Sequence, residues 1–230
     1  MPDGNDKTAS AKKLTASGLG GFPIVVRQLG RVDYAATLAS MSAFTDQRGP
    51  ETPDEIWFLE HPPVYTLGLN ADRSHILTPG DIAVVQVDRG GQVTYHGPGQ
   101  LVAYVLLDLK RANIGVRALI SALENTMIAA VAAFGVTAVS RPDAPGIYVG
   151  GAKLGSVGLR VRRGCSYHGL ALNVDMDLQP FSQIDPCGFA GLPVTQLKDY
   201  AGPVDLNTLV DDFGPILIEI IQSTAGHFAV

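Results

Sequence analysis

The sequence predicts an α+β protein with a mixed, largely antiparallel sheet flanked by helices. Short apolar runs rich in β-branched and aromatic residues outnumber the helical stretches. Turn signals between them are frequent, as hairpins require. Long three- and four-residue apolar spacings occur in only a few places, so helices cover the sheet rather than form the fold.

Taken in order, residues 1–21 are polar and aperiodic and read as a disordered leader, with a single catalytic domain over 22–230. Ile24-Val25-Val26 reads as a first strand. Tyr34, Leu38, Met41 and Phe44 predict a helix over 32–45, ended by Gly49-Pro50. Ile56 to Leu59, Val64 to Gly68 and Ala83 to Val87 are strand-like, and Leu101 to Leu107 is apolar enough for a strand covered on both faces. The segment Arg89 to Gln100 is then a loop slung between two central strands. Val116 to Phe134 is the clearest helix, with Gly135 just past its end. Gly150-Gly151 predicts a two-residue turn joining Ile147–Val149 to Leu154–Val161. Leu170 to Val174 is a further strand, and Pro193 to Asp199 a short helix. The last helix starts beside Asp205 and runs toward Ser223, with Pro215 expected to kink or restart it.

The chain has 230 residues and a net charge of −5, which gives no general argument for a nucleic-acid partner or an anionic membrane. No apolar run approaches the roughly 18 residues of a membrane span, and residues 1–17 lack a secretory apolar region. Two cysteines form no disulfide framework, and the five histidines show no metal-ligand spacing. The reading is a cytoplasmic protein without a metal. Its 26 glycines, many grouped with Thr, His, Pro and Arg, suggest backbone that closely approaches a ligand.

Chemistry concentrates between Gly150 and Gly191. Lys153 follows the Gly-Gly turn and is rooted on a strand, where its tip can be aimed. Cys187 lies between Pro186 and Gly188, on irregular backbone unsuited to a residue used only for packing. If the two meet, the ammonium favours a thiolate nucleophile at neutral pH. A buried inert cysteine and a solvated lysine remain the bland alternative. Arg89 to Gln100 holds four glycines and one proline among its twelve residues, and matches neither a P-loop nor a dinucleotide fingerprint. It reads as the backbone wall of a narrow slot with Arg89 and His96 as polar handles, or as a tight connection facing water. His96 or His168 could alternatively pair with a cysteine as base.

The stretch Arg89-Gly-Gly-Gln-Val-Thr-Tyr-His-Gly-Pro-Gly-Gln100 resembles the signature of the lipoyl(octanoyl) transferases. Gly151-Ala-Lys-Leu-Gly-Ser-Val-Gly-Leu-Arg160, His168-Gly-Leu-Ala-Leu-Asn173 and Pro186-Cys-Gly188 resemble that family's other motifs, in the same order. The similarity runs from about Phe22 to Ala225. It implies a biotin/lipoate protein ligase-like fold and transfer of an octanoyl or lipoyl group from acyl carrier protein to a lysine of apo lipoyl domains. This is the first step of protein lipoylation. The acceptors implied are the lipoyl domains of 2-oxoacid dehydrogenase complexes and the glycine cleavage H protein, with no cofactor and a monomeric enzyme. By resemblance Cys187 is the nucleophile and Lys153 its activator. Substrate contacts fall on Arg89, Gly90, Gly91, Gln92, Val93, Thr94, Tyr95 and His96, on Ser156, Val157 and Gly158, and on Gly169, Leu170 and Ala171. Gly155-Ser156 and Cys165 are the small departures, both at positions that usually hold other small residues. An ATP-dependent lipoate or biotin ligase, a non-catalytic carrier-binding protein and a thiol hydrolase are the rival readings.

Overall fold

The computed structural model describes residues 12–16, 19 and 22–226. Among the described residues, eleven strands and five α-helices follow in chain order. They are β1 (Lys12–Ala16), β2 (Ile24–Arg31), α1 (Tyr34–Gln47), β3 (Asp54–Glu60), β4 (Val64–Leu67), β5 (Ala83–Gln86), β6 (Val93–His96), β7 (Gln100–Leu106), α2 (Leu109–Ala112) and α3 (Val116–Ala132). Then come β8 (Val139–Ser140), β9 (Gly146–Val149), β10 (Ala152–Arg162), β11 (Cys165–Asn173), α4 (Lys198–Ala201) and α5 (Leu206–Gly226). The main sheet has the order β1-β2-β3-β7-β11-β10-β9-β8, and a small sheet has the order β5-β4-β6. Within the main sheet β2 and β3 run parallel, whereas its other neighbours are antiparallel. The expected mixed, largely antiparallel α+β architecture is therefore present.

Strand periodicity explains the three layers. Along β7, Leu101, Ala103 and Val105 face one core, while Val102, Tyr104 and Leu106 face another. The first core receives Leu119, Leu123 and Met127 of α3 with Leu209, Phe213, Leu217 and Ile221 of α5. The second receives Met41 of α1, with Leu38 and Phe44 packed at its margin. Each such fully buried side chain contributes about 1.5–3 kcal/mol, which is why β7 reads as an unbroken apolar run. Gly169 lies where β11 meets β7, and a Cβ there would stand 2.0 Å from the Ala103 carbonyl oxygen.

Several expectations need correction. Lys12–Ala16, placed in a disordered leader, pairs antiparallel with β2, because the sheet edge supplies backbone partners that no side-chain period announces. The rest of the leader outside Leu19 lies beyond the described residues, as does His227. Arg89 to Gln100 is not a simple loop. It contains β6, which pairs with β4, and β5 belongs to the small sheet rather than to the centre of the main one. β11 starts earlier than expected, after a second two-residue turn at Arg163-Gly164, both with positive φ. The short helix begins only at Lys198, because residues 193–195 are extended and bonded along Lys153. α5 passes through Pro215 without restarting, since its apolar face is buried on both sides of the proline.

Candidate active site

Two local structures bring the lysine and the cysteine together. In the β9–β10 hairpin, Gly150 and Gly151 take φ values of 56° and 87°, as a primed turn demands. Lys153, two residues past that turn, is held on its outer edge: its N–H donates to Pro193 O at 2.8 Å, and its carbonyl accepts from Thr195 at 2.9 Å. The side chain is therefore rooted in backbone bonded on both sides, and only 3% of the residue is exposed. Its Nζ lies 2.9 Å from the Tyr148 hydroxyl, 3.2 Å from Pro145 O and 3.4 Å from Ala144 O.

Cys187 sits in the short 3-10 turn Pro186–Gly188, with φ 59° and ψ 17°. A non-glycine residue in this region costs about 1–3 kcal/mol and persists only where the surroundings hold it. Here the Gly188 N–H donates to Asp185 O at 2.9 Å, and Asp185 N–H donates to His75 O at 2.8 Å, tying the turn to the Arg73–His75 segment. The strained backbone presents Sγ 3.2 Å from Lys153 Nζ, across 34 residues of sequence. At that separation the two side chains are within hydrogen-bond reach, the geometry that proton exchange between them requires.

The sulfur borders a cavity of about 440 Å³. Strand register builds its floor: Ser156 is opposite Ala171 and Ala171 opposite Val102, while Gly158 is opposite Gly169 and Gly169 opposite Tyr104. Small residues in these rows leave room above the sheet. The predicted residues Arg89, Gly90, Gly91, Gln92, Val93, Thr94 and His96 line the cavity, as do Ser156, Val157, Gly158, Gly169, Leu170, Ala171 and Cys187. Lys153 stands behind the sulfur rather than in the lining. Tyr95 points elsewhere: strand alternation turns its ring toward Tyr65 and Phe181, at 5.5 and 5.4 Å between centroids.

Arg89 is buried, with Nη2 donating to Thr66 O and Oγ1 at 2.9 and 2.8 Å and Nη1 donating to Gly90 O at 3.0 Å. Burial lowers its pKa, yet a guanidinium stays charged, so it brings a fixed positive charge to the cavity. Desolvation, aided by the neighbouring His61, pushes the His96 pKa down to about 3. The neutral ring donates from Nδ1 to Gln100 Oε1 at 2.7 Å, and Gln100 Nε2 donates onward to Asn173 Oδ1 at 2.9 Å. His168, with φ 60°, is also pushed down by burial, and its Nε2 lies 3.1 Å from Asp88 Oδ1. Tyr167 donates to the other Asp88 oxygen. Neither His96 nor His168 has a hydrogen bond to either cysteine. Among the described residues no cluster of His, Cys, Asp or Glu has the makings of a metal site.

Sequence reasoning missed Tyr34, Tyr104, Tyr148 and Asp88. Tyr34 and Tyr104 line the cavity, their hydroxyls pushed up by burial, Tyr34 to about 12. Each tyrosine sits among apolar residues in a helix or strand, so the sequence offers no signal that separates it from core.

Residues 33–221 match the family model described as the lipoyl protein ligase A/B catalytic domain. A protein of Pseudomonas entomophila named octanoyltransferase is 61% identical over 79% of this chain and 85% of its own length. Among solved structures, a lipoate-protein ligase A bound with ATP has a TM-score of 0.66 at 17% identity, covering 92% of this chain and 94% of its own. A biotin protein ligase from Aquifex aeolicus has a TM-score of 0.54 at 13% identity, covering 87% and 70%. These two distant likenesses define the fold, and no helix among the described residues is long and apolar enough to cross a membrane. The motifs, the fold and the close relatives agree, and the chain belongs to the octanoyltransferases, acyltransferases built on the lipoyl protein ligase A/B catalytic domain.

Proposed function

We propose that the chain moves an octanoyl (or lipoyl) group from acyl carrier protein to a lysine of apo lipoyl domains, through a thioester on Cys187. The acceptors are the lipoyl domains of 2-oxoacid dehydrogenase complexes and the glycine cleavage H protein. The observation that carries the reading is the 3.2 Å approach of Lys153 Nζ to Cys187 Sγ beside a largely apolar cavity. Residues 22–230 act as one catalytic domain, monomeric and cytoplasmic, where thiols stay reduced.

In the first step the Cys187 thiolate attacks the donor thioester carbonyl. A new C–S bond forms, the old one breaks, and the departing thiolate takes a proton from the Lys153 ammonium. In the second step the acceptor's neutral amine attacks the acyl-cysteine. The C–N bond forms, Cys187 leaves as thiolate, and the surplus proton passes to the Lys153 amine, restoring the starting pair. The lysine thus serves as acid and then as base, and no cofactor enters the balance. Arg89 to Thr94 with His96, Ser156 to Gly158 and Gly169 to Ala171 form the substrate-binding set, in which the acyl chain gains about 0.8 kcal/mol per buried methylene.

A thioester already carries the activation that an amide bond requires, so nucleotide is unnecessary. Transfer rates measured with and without Mg-ATP should agree. A strict ATP requirement would instead favour an ATP-dependent lipoate or biotin ligase of the same fold.

A further inference from the structure

We infer that Tyr148 is a positioning residue for Lys153: its hydroxyl, with the Pro145 carbonyl, pins two N–H bonds of the ammonium and aims the third at Cys187. The inference rests on reading Cys187 and Lys153 as the reacting pair. Tyr148 lies directly opposite Lys153 in the β9–β10 register, so the two side chains share one face of the hairpin. It is 1% exposed. Its single hydroxyl proton is committed to Ala144 O at 2.7 Å, so only lone pairs face Lys153 Nζ, 2.9 Å away. The ring adds a cation–π contact, with Nζ 4.9 Å from its centroid.

An ammonium has three N–H bonds, and three well-placed partners surround this one: the Tyr148 hydroxyl at 2.9 Å, Pro145 O at 3.2 Å and Cys187 Sγ at 3.2 Å. Ala144 O, at 3.4 Å, is the most distant contact and already accepts from Tyr148. The strand carrying these acceptors is itself fixed, because the Gly146 N–H donates to Glu124 Oε1 at 2.8 Å. A lysine has four rotatable stem bonds and would otherwise sample many tip positions. With two N–H bonds held, the direction toward sulfur is the one left over. In the ammonium that direction carries the proton that goes to the departing thiolate. In the amine formed by that loss, the two remaining N–H bonds still have their acceptors. The lone pair therefore occupies the direction toward the acyl-cysteine, where the incoming amine must shed its proton. One cage serves both halves of the cycle.

The test compares Tyr148→Phe, which keeps the ring and the cation–π contact, with Lys153→Ala. Two rates are read at neutral pH: alkylation of Cys187 by iodoacetamide, and single-turnover passage of octanoyl from Cys187 to a saturating lipoyl domain. Loss of a hydrogen bond to a charged group should slow both by about tenfold in Tyr148→Phe, with the acceptor KM unchanged. Native rates in both assays, or a loss confined to KM, would overturn the inference. If Lys153→Ala leaves alkylation at the native rate, the reacting-pair reading itself fails. If Lys153→Ala slows it and Tyr148→Phe does not, only the role of Tyr148 fails. A measurement on the native chain guards against misfolding of the variant: in lysine-selective nitrogen NMR the Lys153 Nζ–H protons should exchange slowly. Exchange as fast as that of exposed lysines would contradict the cage.

Discussion

Cys165 and Cys187 carry the same functional group into opposite surroundings. Cys165 opens β11, is buried, and bridges to Asp108 beside a compact ion-pair knot. In that knot Asp54 accepts from Arg48 at 2.5 Å and from Arg111 at 2.7 Å. Burial pushes the Cys165 thiol up, and the nearby charges act in both directions, Arg48 and Arg111 lowering it and Asp108 and Asp54 raising it. Cys187 lies on a strained three-residue turn, half-buried, with one ammonium 3.2 Å away. Basic residues adjacent in sequence do not make a reactive thiol. Arg162 and Arg163 almost touch Cys165 in sequence, yet their guanidinium groups bond the Asp46 carboxylate and carbonyl. The charge aimed at the Cys187 sulfur comes from Lys153, and the fold places it there.

The largest effect should separate the two cysteines outright. Cys187→Ser is expected to lower octanoyl transfer on the order of a thousandfold or more, as loss of a nucleophile does. Cys165→Ser should keep transfer within about threefold while losing about 1–2 kcal/mol of stability, because a hydroxyl replaces a buried thiol. Steady-state rates and chemical denaturation of the two variants check both statements. A strongly impaired Cys165→Ser at full stability would erase the distinction.

Replacing the aimed charge should have a smaller and more informative effect. Lys153→Arg keeps a cation near the sulfur, so acyl-enzyme should still form, although with altered geometry. Arginine does not deprotonate, so passage to the acceptor should stall and acyl-enzyme accumulate. Lys153→Ala should slow both steps, with Cys187 alkylation reduced about tenfold for each 1.4 kcal/mol of lost ion-pair preference. Quenched-flow mass measurement of the acylated fraction distinguishes these outcomes. Native turnover by Lys153→Arg would remove the proton-accepting role.

The smallest effect concerns pH. The Cys165 thiol is raised in the folded protein, so the folded state holds its proton more tightly than the unfolded chain. Its contribution is fully present below the unfolded value of about 8.5 and is lost as pH rises through the higher folded value. Native protein should therefore lose stability relative to Cys165→Ser on going from pH 8 toward pH 10 (about these limits, set by ordinary thiol titration). Denaturation curves at several pH values read this directly, and parallel curves would mean that the thiol is unperturbed.

How much of this was legible depended on whether the signal was local. The long helices, the fully buried β7 and the Gly150-Gly151 hairpin follow from spacing and turn chemistry within a dozen residues. The four motifs placed nearly every predicted residue around one cavity, Tyr95 excepted, because four residues of unrecognised strand alternate their faces. β1 and the extended segment before α4 were hidden for another reason: both exist by pairing with backbone far along the chain. Tyr148 was hidden for a similar one. In sequence it is one more aromatic in an apolar strand, and only the register that sets it opposite Lys153 gives its hydroxyl a task.

The most direct test of the account is to mix the native chain with octanoyl-acyl carrier protein in the absence of acceptor, and to locate the adduct by intact-mass and peptide mapping. The account predicts a single octanoyl group on Cys187, discharged when an apo lipoyl domain is added. An octanoyl group on Cys165, or transfer to the acceptor with no protein-bound acyl group at any time, would contradict it.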